Sequence, residues 1–143
     1  MIQQSLNWYS IKLLYVYEIN GEPNPKLMDI DFVENYIAYE ESILLIEAST
    51  FDMAYTKAEK IAKKSEGTHQ NLYEQTIQKK FYDFIDCFLI SPDESLHLKD
   101  ELEVYSNIIE SNTGINKDKF INETFPIKEG VKYMLLNNNL PLS

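Results

Sequence analysis

The side chains able to carry chemistry in this 143-residue chain are His69, His97, Cys87 and several close carboxylate pairs. A zinc site needs nitrogen and sulfur ligands at short spacing. His69, Cys87 and His97 share no such spacing, so both histidines read as solvent-exposed. A calcium loop needs oxygen ligands around a glycine, which Asp29-Ile30-Asp31 and Asp93-Glu94 lack. A nucleophile needs an adjacent base. Cys87 stands between Asp86 and Phe88 in an apolar segment and reads as a buried, inert thiol. Paired carboxylates can divide acid and base roles. Adjacent Glu40 and Glu41 would point to opposite faces of a strand, however, and Asp83–Asp86 has no better claim. No glycine-rich loop precedes a helix to cradle a phosphate. No constellation specifies a reaction, so the expectation is a non-enzyme with no catalytic residue, no metal and no cofactor.

Charge is more informative. The chain contains no arginine, hence no bidentate fork for phosphate or carboxylate. Its net charge of −10 sits in two blocks, Glu18 to Glu47 and Asp83 to Glu110, each −7. Such a surface repels nucleic acid and anionic lipid and attracts basic partners. Two plainer readings compete. Acidity serves solubility, and lysine without arginine, with many Ile, Asn and Tyr, fits an AT-rich bacterial genome. Ten tyrosines, seven phenylalanines and Trp8 exceed what a small core usually needs, and tyrosine favours half-buried strands and contact surfaces. The candidate partner-binding residues are the acids Glu40, Glu41, Asp93, Glu94, Asp100 and Glu101, with Tyr39 and Tyr105 as anchors. The expected function is a non-enzymatic, intracellular protein-binding domain. Its concrete form is an acidic immunity or inhibitor protein that occludes a basic partner such as a toxin domain. The alternatives are a small-molecule-binding or catalytic α+β domain with a tyrosine-lined pocket, and a structural homo-oligomer; a homodimer stays open.

These residues need elements to position them. The length suits one globular domain over 1–143. A lone cysteine rules out an intramolecular disulfide. The start MIQQSLNWYS lacks a charged and an apolar region, so no signal peptide is expected. No apolar stretch approaches the ~20 residues of a membrane span. A cytoplasmic protein is the default.

Trp8 to Ile19 alternates with period two and predicts a strand with one face wholly buried. Asn20-Gly21 and Pro23/Pro25 end it, and Lys26 to Tyr36 reads as a loop or short irregular helix. Tyr39 to Ala48 predicts a second strand, with the apolar run Ile43, Leu44, Leu45 and Ile46 buried on both sides. A helix over Ser49 to Ser65 comes next, capped by Ser49 or Thr50, with Ser49/Asp52 as a capping box. Ala54, Ala58, Ile61 and Ala62 form its inward stripe, and Gly67 its C′ residue. Tyr73 to Ile90 predicts a long bent strand with a bulge, or two strands broken near Gln78–Lys80; a helix over Phe81 to Ile90 remains open. Ser91-Pro92-Asp93-Glu94 is a turn, Val104 to Ile109 a short strand, and Asn116 to Leu136 two helical pieces split at Pro126. The fold class is therefore α+β: a mostly antiparallel sheet of about four strands, one central helix packed on one face, and C-terminal helices.

The segments Trp8-Tyr9-Ser10-Ile11-Lys12-Leu13-Leu14, Tyr39-Glu40-Glu41-Ser42-Ile43, Ala54-Tyr55-Thr56-Lys57-Ala58-Glu59 and Glu103-Val104-Tyr105-Ser106 occur in an order that resembles a small bacterial family. It is known as domain of unknown function 4288. The resemblance covers about residues 8–110 and leaves 111–143 as a helical extension. It implies a compact α+β core, no established activity and no functional residue to carry over.

Overall fold

The computed structural model describes residues 6–90, 100–111, 114 and 116–125. The chain divides into two compact units, Met1–Ser106 and Asn107–Ser143.

The first unit is built on β1 (Asn7–Asn20), which pairs antiparallel with β2 (Ile37–Ala48) on one side and β4 (Thr76–Ile90) on the other. A short strand, β3 (Gly67–Gln70), joins the far side of β4 and completes the order β2-β1-β4-β3. All the pairings are antiparallel, and with two helices the chain is α+β. On β1 the expected alternation is realised. Tyr9, Ile11, Leu13 and Tyr15 are buried on one face, while Lys12, Leu14 and Val16 on the other are half-buried. Gly21 ends the strand with φ 95, a conformation that favours glycine.

Helix α1 (Phe51–Lys64) starts at Thr50, whose Oγ1 accepts from the Met53 amide at 3.1 Å. Thr50, not Ser49, is thus the cap, and the Ser49/Asp52 box does not form. Ala54, Ala58 and Ala62 are fully buried and join Tyr9, Ile11, Leu13, Tyr15, Ile46 and Ala48 in one core. With no side chain beyond Cβ on this stripe, the helix axis can approach β1 closely. Ile61 belongs outside the stripe, being 43% exposed; Tyr55 takes the flanking position and meets Phe84 edge-on at 4.8 Å. Gly67 is no C′ residue. The helix ends at Ser65 in right-handed geometry, its amide bonded to Ile61 and Ala62, and Gly67 opens β3.

Strand β4 is one bulged strand. A two-strand break near Gln78–Lys80 and a helix over Phe81 to Ile90 are both overturned by its continuous pairing with β1. The register shifts twice: Lys12 faces Asp86 but Leu13 faces Phe84, and Leu14 faces Asp83 but Tyr15 faces Phe81. Ile85 and Tyr82 are therefore the extra residues. Each bulge reverses the facing of the residues beyond it. Ile77, Lys79, Phe81, Phe84, Cys87 and Leu89 thereby all share the helix face. Phe81 and Phe84 sit 5.2 Å apart, with Tyr15 and Tyr55 at either end of the row. Asp83 and Asp86 accept from the amides of Phe84 and Cys87 at 2.7 and 2.8 Å, which gives polar groups beside the bulges a partner.

No strand forms over Val104 to Ile109; this stretch is irregular. Val104 and Tyr105 nonetheless lie against the sheet face opposite α1, since the Ser10 hydroxyl donates to the Val104 carbonyl and the Tyr105 hydroxyl to Asp86 Oδ2 at 2.8 Å. Side-chain anchors replace the ladder that a strand would need. In the second unit, α2 (Lys117–Thr124) is capped by Asn116, whose side chain accepts from Asp118 and Lys119. The expected helical piece beyond Pro126 lies outside the described residues.

This packing makes two stability predictions. Leu13→Ala, at a fully buried site on β1, is expected to cost ~2–5 kcal/mol. Ala58→Leu overpacks the helix–sheet contact and is expected to cost about 1–3 kcal/mol, whereas exposed Lys60→Glu should leave the urea midpoint nearly unchanged. A neutral Ala58→Leu beside a destabilising Lys60→Glu would place the stripe in solvent.

Candidate functional site

Glu40 and Glu41 lead to opposite sides of the sheet, as strand geometry requires. On the helix face, Glu40 accepts from the Tyr17 hydroxyl and pairs with Lys79 Nζ at 3.3 Å. Glu40 is in β2 and Lys79 in β4, so the pair reaches across β1. The ammonium passes 4.2 Å from the centre of the Tyr15 ring, a cation–π contact. Ser65, at the end of α1, donates to the Tyr15 hydroxyl at 2.9 Å. Partial burial, then the hydrogen bond to Glu40, raises the Tyr17 phenol above its usual range. Lys79 is also raised; burial opposes the charge, but Glu40 and Tyr17 outweigh it. Every polar group here already has a partner.

On the opposite, outer face, Glu41 pairs with Lys12 at 3.0 Å. Lys12 lies 5.6 Å from the centre of the Tyr105 ring, and Tyr105 meets Phe88 edge-on at 6.2 Å while donating to Asp86. The structure thus gathers Glu41 and Tyr105 through Lys12. Tyr39 shares the outer face of β2 and is 67% exposed. Asp100 and Glu101 are exposed, Glu101 with φ 69. Asp93, Glu94 and His97 lie outside the described residues. Glu40 stands apart from the rest, held on the helix face.

Sequence alone does not single out the neighbours of Tyr39. Ile37, Ile43 and Leu45 are 51%, 47% and 39% exposed on the same face as Tyr39, Glu41 and Glu47, so the run Ile43 to Ile46 is not buried on both sides as expected: α1 covers only the side of Leu44 and Ile46. Period two along Ile37–Glu47 is the available signal; which face α1 leaves uncovered is not in it. Lys12 and Asp86 also escape the sequence, because their meeting depends on the β1–β4 register.

Elsewhere, the loop after Gly21 folds toward the turn before β4. Asn24 donates its amide to the Tyr73 carbonyl at 2.9 Å, Gln75 Nε2 donates to the Gly21 carbonyl at 3.0 Å, and Phe32 meets Tyr73 edge-on. Gly21 and Gln75 border a cleft of about 450 Å³ that Met28, Phe32, Val33, Glu34 and Tyr36 help line. Tyr73 donates to Asp29 at 2.7 Å, and this bond pushes its phenol up to about 12. Cys87 is half-buried; burial pushes its thiol up, away from the thiolate. His69 is exposed in β3. Among the described residues no three His, Cys, Asp or Glu side chains gather as metal ligands would. No helix among them is long and apolar enough to cross a membrane.

A four-stranded antiparallel sheet, one face under an alanine-striped helix and the other partly bare, defines a small α+β domain. Over residues 8–106 the chain matches the family described as Domain of unknown function (DUF4288), and it belongs to that family. The match ends where the first compact unit ends. No curated protein and no solved structure matches the chain.

The raised phenols set a pH dependence. Folded Tyr17 keeps its proton where the unfolded chain, near 10.0, has lost it. Stability is constant below that pH and falls as pH rises from the unfolded toward the folded value. Tyr17→Phe should therefore flatten the alkaline loss of urea stability. Asp29→Asn should bring the Tyr73 titration, followed by NMR of its ring carbon, back from about 12 toward 10.0. An unmoved Tyr73 titration would mean that Asp29 is not its controlling partner.

Proposed function

We propose that this protein is a non-enzymatic, intracellular protein-binding domain. Its concrete form is an acidic immunity or inhibitor protein of a bacterial cytoplasm that occludes a basic partner such as a toxin domain. The observation that carries this reading is the outer face of β2. Ile37, Tyr39, Ile43 and Leu45 stand exposed together, interrupted by Glu41 and Glu47 and neighboured by Glu18. An apolar centre with a charged rim is the anatomy of an interface. The −10 net charge selects a cationic counterpart and steers its approach. Tyr39 supplies a desolvated anchor; exposed Asp100 and Glu101 add to the acidic charge, as Asp93 and Glu94 do in the sequence. Glu40 contributes to that field while remaining committed to Lys79.

A second reading, a small-molecule-binding domain, rests on the 450 Å³ cleft, which Tyr36 lines as its single tyrosine. A screen that shifts the Met28 and Tyr36 NMR signals at micromolar ligand, with Tyr39→Ala indifferent, would favour it.

The test of the first reading is to isolate the partner from the native cell and follow its binding by surface plasmon resonance. The association rate should fall with salt, because exposed charges are screened over ~8 Å at physiological ionic strength. Glu41→Gln with Glu47→Gln should slow association without unfolding the domain. Tyr39→Ala should speed dissociation, at a cost of about 2 kcal/mol if it is a central anchor. Binding indifferent to salt and to all three changes would reduce the acidity to a solubility device.

A further inference from the structure

We propose that the partner engages the open edge of β2 by adding a strand to the sheet, and that the added strand carries Lys or Arg beside Glu41 and apolar residues beside Ile43 and Leu45. This rests on the protein-binding reading above and deepens it.

Among the described residues, this edge carries none of the usual protection except charge. Proteins blunt sheet edges with short strands, prolines, lysines or bulges. At the other edge of this sheet, β3 is four residues long. At this edge, β2 runs for 12 residues, contains neither proline nor lysine, and pairs with β1 in unbroken register. Lys57 Nζ donates to the Glu47 carbonyl at 2.6 Å, so the α1 end of the strand is occupied. Between Ile37 and Leu45, every second residue turns an N–H and a C=O away from β1. Such a row is a template for strand addition, in which backbone bonds supply affinity and alternate side chains supply specificity.

Charge decides the occupant. A second copy would bring the acidic block of Glu18 to Glu47 against itself, and like charges on neighbouring strands are destabilising. A cation-bearing strand meets Glu41 favourably and lays its alternate apolar residues along Ile43 and Leu45, extending the bare outer face.

The experiment uses the full chain and acetylated peptides as probes: Thr-Val-Thr-Val-Thr-Lys-Thr, whose valines and lysine share one face (the lysine–valine peptide), its counterpart with glutamate for lysine, and the lysine–valine peptide N-methylated along one edge. Amide hydrogen exchange reads the site. The lysine–valine peptide is expected to slow exchange within Ile37–Leu45, and the other two peptides are not. Ile43→Lys, at a side chain already half in solvent, is expected to weaken the lysine–valine peptide at least tenfold. Exchange on the unaltered protein decides the matter even if that variant misfolds. Equal binding of the N-methylated peptide, or no protection of β2 with any peptide, would overturn strand addition. So would protection that appears without peptide and grows with protein concentration, which would assign the edge to a second copy. The two readings fail separately. A native basic partner captured without β2 protection removes strand addition alone; β2 protection by the lysine–valine peptide without a native basic partner removes the inhibitor reading alone.

Discussion

The contact on which this structure depends is three methyl groups against one face of the sheet. Ala54, Ala58 and Ala62 seat α1 on the buried face of β1 and β2, in one core with Ile11, Leu13, Ile46 and Ala48. Burial on this scale carries a small domain's stability, at roughly 25 cal/mol per Å² of apolar surface removed from water. The small side chains matter as much as the apolarity. They let the helix lie close to the sheet, while the larger rings, Tyr55, Phe81 and Phe84, fill the flank. Because α1 covers one face, the other must be finished by something else or left bare.

What finishes it is partial. Val104 and Tyr105 are fastened over Ser10, Lys12, Asp86 and Phe88. That covers β1 and β4 and leaves β2. The adjacent glutamates of β2 show how the two faces differ. Glu40 is drawn across the sheet to Lys79 over an aromatic floor, with both side chains mostly shielded; Glu41 meets Lys12 with 62% of its own side chain in solvent. Exposed pairs of the second kind contribute about 0–1 kcal/mol. Glu41 can therefore trade its lysine for another cation at little cost, whereas Glu40 cannot leave without stranding Lys79 and Tyr17.

Much of the fold was legible because its signals are local. Period two marked β1, a continuous apolar run marked β2, the alanine stripe and capping residues marked α1, and Asn20-Gly21 marked the turn. The failures share a cause: they depend on partners distant in the chain. Phe81, Phe84 and Cys87 recur every three residues, which resembles a helix; two bulges in β4 produce the same spacing, and only pairing with β1 distinguishes them. Val104 to Ile109 carries strand-like residues but forms no ladder; Val104 and Tyr105 are held by side-chain anchors instead. Gly67 looked like a helix terminator because the four-residue β3 is too short to announce itself. Of the candidate site, Tyr39 and Glu41 were legible from type and alternation. The links Glu40–Lys79 and Lys12–Tyr105 were not, since register is a property of the folded sheet.

The same register explains why acidity and an unprotected edge belong together. A long, regular, apolar edge strand pairs with any strand that reaches it, and its commonest encounter in a cell making this protein is another copy of itself. Lysines or a proline in β2 would stop that, but a lysine would also repel a cationic partner, and a proline would remove a ladder donor. Under the proposed strand addition, glutamates exclude a second copy and favour a basic strand, so that one set of charges would serve both repulsion and recognition. The arginine-free, lysine-poor block from Glu18 to Glu47 fits that proposal, and the same acidity serves solubility.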